Sequence, residues 1–150
     1  MNLSEKINND LKDAMKSGDK VRLQTLRSIR ALILEFEKSG SGKKFDHEEE
    51  IKLLSTAAKK RKESIEEYHK AGRKDLADKE EAELNVIMSY LPKQLTEDEI
   101  IEEIKKLSQS LGARTRADFP KLMPAAIKEL KGKADGKAIK NAVEKILGAN

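Results

Sequence analysis

Leu3, Ile7, Leu11 and Met15 recur at every fourth position with polar side chains between them, the spacing of a helix with one buried face. Ser17-Gly18-Asp19 interrupts the pattern with a glycine suited to a helix C′ position and an aspartate suited to the next N-cap. A second helix is predicted from about residue 20 to 38, with Leu23, Leu26, Ile29, Ile33 and Phe36 facing inward. Ser39-Gly40-Ser41-Gly42-Lys43-Lys44 reads as a loop. Asp46 with Glu49 three residues later forms a capping pattern for a third helix, which ends at Ala71-Gly72. Asp75 is the expected cap of a fourth helix, running to Tyr90-Leu91-Pro92.

Pro92 breaks the periodicity, and Thr96-Glu97-Asp98-Glu99 is a capping box that opens a fifth helix. A domain boundary is expected at residues 92–95, giving an N-terminal domain over 1–92 and a C-terminal domain over 93–150. The fifth helix buries Ile100, Ile104, Leu107 and Leu111. A turn from Gly112 to Asp118 leads to a sixth, with Phe119, Leu122, Met123, Ile127 and Leu130 inward. Lys131-Gly132-Lys133-Ala134-Asp135-Gly136 is a tight connection to a seventh helix carrying Ile139, Val143, Ile146 and Leu147. Nothing alternates with period two for long enough to make a strand. The predicted fold is all-α: helical hairpins followed by a small three-helix domain.

One stripe on the third helix carries a cation. Ile51, Leu54, Ala58, Arg61, Ile65 and Tyr68 follow heptad spacing. A short connection through Gly72, Arg73 and Asp75 folds the fourth helix back antiparallel, so residues whose numbers sum to roughly 146 lie opposite each other. Arg61 then meets Glu83, or Glu80 one turn away. A desolvated guanidinium needs such a carboxylate. A structural ion pair is favoured over a catalytic one, because neither residue has a further catalytic partner in the sequence.

Composition narrows the classes. Charged residues make up 39% of the chain against roughly 25% in an average soluble domain. The absence of Cys excludes disulfides, thiolate metal sites and a Cys nucleophile. No apolar run approaches the ~20 residues of a membrane span, so a soluble cytosolic protein is expected. The net charge of +4 is unevenly spread. Residues 1–92 hold nineteen basic and eighteen acidic side chains, whereas residues 104–150 hold eleven basic and four acidic ones. Such a block is a candidate footprint for a polyanion, although surface lysines more often serve only solubility.

The usual catalytic patterns are missing: there is no nucleotide-cradling glycine loop and no nucleophile elbow. His47 and His69 stand 22 positions apart without a metal-binding pairing, and Ser64 lies mid-helix without a neighbouring base. Neither a metal nor a cofactor is expected. Two basic clusters remain. Lys59-Lys60-Arg61-Lys62 spreads around the third helix, with Arg61 turned inward. Lys128, Lys131, Lys133, Lys137 and Lys140 gather around the last connection, where Gly132 and Gly136 flank the expected N-cap Asp135. Asp135 would occupy the free N–H groups of that helix, leaving the lysines to meet a phosphate. No aromatic side chain is interleaved with them, so contact would be to a nucleic-acid backbone rather than to stacked bases.

The runs K-K-R-K-E-S-I-E-E-Y-H-K-A-G-R-K-D-L-A-D-K-E-E-A-E-L (59–84), Y-L-P-K-Q-L-T-E-D-E-I (90–100) and L-K-G-K-A-D-G-K-A-I (130–139) resemble the small stand-alone members of the GatB/YqeY-domain proteins. The opening D-L-K-D-A-M-K-S-G-D-K-V-R-L-Q-T-L-R (10–27) fits as well. The resemblance implies a two-part helical fold whose C-terminal part is shared with the tail of the tRNA-dependent amidotransferase B subunit. In that enzyme the tail contacts tRNA while the chemistry occurs elsewhere. Phe119-Pro120 and Met123-Pro124 depart from the family pattern, which has Met-Gly and a further Gly there. Pro120 suits a helix start; Pro124 lies a turn further in, where it would tighten or kink the helix. Three functions follow as expectations. The first is an accessory tRNA-binding protein. The second is a component of a carbon–nitrogen ligase with glutamine as amide donor. The third is an adaptor docking an aminoacyl-tRNA synthetase or amidotransferase.

Overall fold

The structure, a computed structural model, describes residues 1–148. Seven α-helices follow one another: α1 (Leu3–Ser17), α2 (Lys20–Lys38), α3 (His47–Lys70), α4 (Lys74–Met88), α5 (Glu97–Leu111), α6 (Phe119–Glu129) and α7 (Gly136–Ile146). A 3₁₀ turn at Arg116–Asp118 leads into α6. No strand occurs among the described residues. The fold is all-α.

Local chemistry sets the helix limits. Asn2 and Thr96 each form a capping box, with Glu5 and Glu99 respectively. Asp19, Asp46 and Asp135 accept from the third backbone N–H of their helices. Gly72 (φ +69°) ends α3 in a Schellman arrangement: its N–H donates to the His69 carbonyl, and the Arg73 N–H donates to the Tyr68 carbonyl at 2.8 Å.

Asp75 does not cap α4, as its residue type led us to expect. The helix starts at Lys74, with Arg73 at the cap position and no side-chain cap bond. Asp75 sits within the first turn, where a carboxylate is favoured by the helix dipole. There it takes the Arg73 guanidinium in a two-pronged pair, at 3.2 Å from Nε and 3.1 Å from Nη2. That exposed guanidinium holds the Asp75 carboxyl below the usual carboxylate range. Helix α4 stops at Met88, four residues short of Pro92, and Ser89-Tyr90 turn out of it. Helix α6, by contrast, continues unbroken through Pro124.

The chain divides into two compact units, Met1–Leu91 and a second beginning at Pro92, each with its own core. In the first, α1 packs on α2 and α3 on α4, while α2 bridges to α3 and α4. Ile7, Leu26, Ile29, Leu54 and Ile87 are fully buried at its centre. In the second, α5, α6 and α7 surround Ile104, Leu122, Ile139 and Val143. Two expected core residues lie outside: Met15 is 62% exposed and Ile127 45% exposed, and Ala14 and Ala126 occupy the buried positions beside them.

Polar contacts between distant residues lock the first unit. The Leu3 N–H at the start of α1 donates to the buried Glu50 carboxylate of α3 at 2.7 Å. The Tyr90 hydroxyl donates to the Asp10 carboxylate. Partial burial, reinforced by the neighbouring Asp10 charge, pushes the Tyr90 phenol well above its ordinary value. A folded-state pKa raised above the unfolded one supplies stability that is complete below pH ~10 and is lost as pH rises beyond it. Urea titrations at increasing alkaline pH should therefore show a loss of stability that Tyr90→Phe reduces. Identical alkaline profiles for the two proteins would place the loss elsewhere.

Candidate nucleic-acid interface

The connection between α6 and α7 carries Lys131 and Lys133, and its backbone is held on several sides. The Lys133 N–H donates to the Leu130 carbonyl at 2.9 Å, and Gly132 takes φ +80°, which a side chain would strain. The segment after Pro92 lies alongside. The Leu95 N–H donates to the Lys133 carbonyl at 2.9 Å, a single strand-like bond between irregular segments. The Gln94 side-chain amide donates to the carbonyls of Pro92 at 2.8 Å and Gly132 at 2.7 Å. Both protons of one amide are thus spent on fixing this turn. Nothing in the sequence periodicity marks Gln94 for that role.

On this scaffold Lys128, Lys131, Lys133, Lys137 and Lys140 are all exposed. Ile139, Ala142 and Val143 face the core, so Lys137, Lys140 and Asn141 occupy the opposite side of α7. Asp135 caps α7 by accepting from the Ala138 N–H at 2.8 Å, so the lysines carry the positive potential rather than the helix end. Gly136 has an ordinary φ, and a Cβ there would meet nothing within 4 Å. The chain itself does not require glycine at that position. Two carboxylates temper the patch on one side, because Lys133 borders a shallow recess shared with Glu103 and Glu129. Lys145 stands apart from the patch, bonded to Glu97 at 2.7 Å; the ammonium lowers the Glu97 carboxyl and is itself raised.

In the first unit Arg61 Nε lies 3.5 Å from Glu83 Oε2, with both side chains about 15% exposed. Glu83, rather than Glu80, is the partner. Glu80 falls one turn nearer the Gly72 connection, off the position directly across from Arg61 on the antiparallel α3–α4 pair. Arg61 Nη1 reaches the Ala57 carbonyl and Nη2 the Ser28 hydroxyl, each at 3.4 Å. Lys59 and Lys60 are exposed and Lys62 is half-buried. No group of three or more metal-ligating side chains gathers among the described residues.

Residues 4–147 match the family described as Yqey-like protein. The chain belongs to the YqeY-like family. Similar proteins include "Altered inheritance of mitochondria protein 41, mitochondrial" of Pyrenophora tritici-repentis, 32% identical over 143 residues, which cover 93% of this chain and 78% of that protein. The Saccharomyces cerevisiae protein of the same name is 32% identical over 132 residues, covering 87% and 69%. That of Vanderwaltozyma polyspora is 39% identical over 82 residues, covering 55% of this chain and 44% of that one. These names overturn the expectation of a cytosolic protein. The expectation rested on the lack of membrane-length apolar runs, a feature equally at home in any aqueous compartment of a cell.

Proposed function

We propose that this protein is an accessory tRNA-binding protein whose second unit grips the phosphate backbone through Lys131, Lys133, Lys137 and Lys140. The observation that supports the reading is the basic turn fixed by Gln94 and Leu95. Its lysines project from a backbone already ordered, so less conformational entropy is lost on binding. The likeness to the amidotransferase tail supplies tRNA as the polyanion. With no side-chain constellation for amide transfer among the described residues, the protein's part is to bind and present, and any ligase chemistry belongs to a partner.

Filter binding with tRNA across a salt titration tests this. If about four phosphates are neutralised, log affinity should fall with log salt at a slope of roughly −3 to −4. Each lysine replaced by alanine should reduce the slope by about one and weaken all tRNA sequences alike, because phosphate contacts carry no base information. Absence of tRNA affinity at low salt, or unchanged binding by the quadruple variant, would reject the reading and leave the adaptor in its place.

A further inference from the structure

The first unit contains a cleft of about 470 Å³ between α2 and α3 that the reading above does not use. Leu32 and Phe36 of α2 and Leu53 and Ala57 of α3 form its walls. They repeat at i and i+4, so each pair makes a continuous apolar stripe along its helix. The Phe45 ring packs against Phe36 at 5.2 Å between centroids and steadies that wall. From Glu49 to Arg61 the cleft follows α3 for about 18 Å at the helical rise per residue.

Its two ends differ. One end is closed by Arg61, bonded to Ser28 across the cleft, with Lys60 beside it. At the other end Glu49 partly offsets Lys43 and Lys52. The Arg61 guanidinium is underbonded for its burial. Its buried Nε faces Glu83 at 3.5 Å, an ion pair too long for a good hydrogen bond, and its two terminal nitrogens make contacts of 3.4 Å, the long limit of such bonds. A buried donor left in this state calls for a ligand or a functional reason.

We infer that this cleft binds a small anionic amphiphile, with its acidic head on Arg61 and Lys60 and its alkyl chain along Leu32, Leu53 and Phe36. The volume falls within the roughly 300–1,000 Å³ range of small-molecule sites and is too small to seat a partner helix. Leu32, Phe36, Leu53 and Ala57 suit an alkyl chain rather than a nucleobase or sugar, and the hydroxyls of Ser28, Ser39, Ser41 and Thr56 lie among the other lining residues. A carboxylate or a phosphate monoester matches the planar fork of the guanidinium and would give it the short bonds it lacks.

Calorimetric titration of the full chain with octanoate, octyl phosphate, 1-octanol and adenosine monophosphate tests the assignment, with amide shifts mapped by NMR. One octanoate or octyl phosphate should bind per chain, shifting residues 28–36 and 53–61, and the tighter of the two identifies the head group. The uncharged alcohol should bind at least about tenfold more weakly, the worth of a charge-assisted hydrogen bond. Lys60→Glu, an exposed change that leaves the core intact, should weaken the anions by a similar factor, and Leu32→Trp should block them by filling the trough. Equal binding of alcohol and acid, unchanged anion binding by Lys60→Glu, or binding of the nucleotide in place of the alkyl anions would overturn the inference.

Discussion

Glu83→Ala should destabilise this protein by about 2–3 kcal/mol, whereas Glu81→Ala on the exposed side of α4 should cost almost nothing. Removing one partner of a fully buried ion pair costs about 3–5 kcal/mol, because the remaining charge stays desolvated without compensation. Arg61 and Glu83 keep about 15% exposure, so water recovers part of that cost. In a unit of this size each kcal/mol moves the thermal midpoint by roughly 4–8 °C. The underbonded guanidinium sharpens the expectation: with Glu83 gone, only the long contacts to Ser28 and Ala57 remain. Replacing both partners by Arg61→Met and Glu83→Leu should recover most of the loss, since no charge is then left behind. Equal midpoints for Glu83→Ala and Glu81→Ala would show that solvent, not Glu83, balances Arg61.

The helices were legible because their periodicity and caps are local. Residues within four positions decide whether a turn forms, and Asn2, Asp19, Asp46, Thr96 and Asp135 each act on their own first turn. The misplaced core residues show where a simple spacing rule drifts. A step of four residues advances about 40° beyond a full turn, so Met15 has rotated about 120° from Leu3, while Ala14 returns to within about 20° of it. Asp75 misled for a different reason. Its residue type suits a cap, but the Schellman turn at Gly72 sets where the chain re-enters a helix, and it does so two residues too early.

Other features could not be read locally at all. Tyr90 meets Asp10 across eighty positions and Leu3 meets Glu50 across forty-seven. Such pairs are chosen by packing, after the helices exist. Glu50 did leave a trace, as a carboxylate on the same helix face as Leu54, Ala57 and Arg61. The α2–α3 cleft left none, because an apolar stripe on each helix looks the same whether its partner closes on it or stands off. The five lysines were found by counting charge, but the count says nothing of the backbone beneath them.

That backbone is where Gln94 matters. Gln94→Leu should cost the second unit about 2 kcal/mol, from two lost hydrogen bonds and a buried Gly132 carbonyl left without its donor. Gln94→Glu should cost more, because an ionised carboxylate can only accept and would face two carbonyl oxygens. In both variants the Leu95 N–H should exchange with solvent faster than in the parent, as the turn and the segment after Pro92 separate. The same substitutions separate placement from charge in the proposed tRNA contact. They leave every lysine in the chain, so the salt slope should stay near its parent value while affinity falls at every salt concentration. A slope that drops with affinity would mean that lysines have left the interface altogether. Unchanged exchange at Leu95 would show that the turn holds its shape without Gln94, and the preorganised-turn argument would then fail with the lysines still in place.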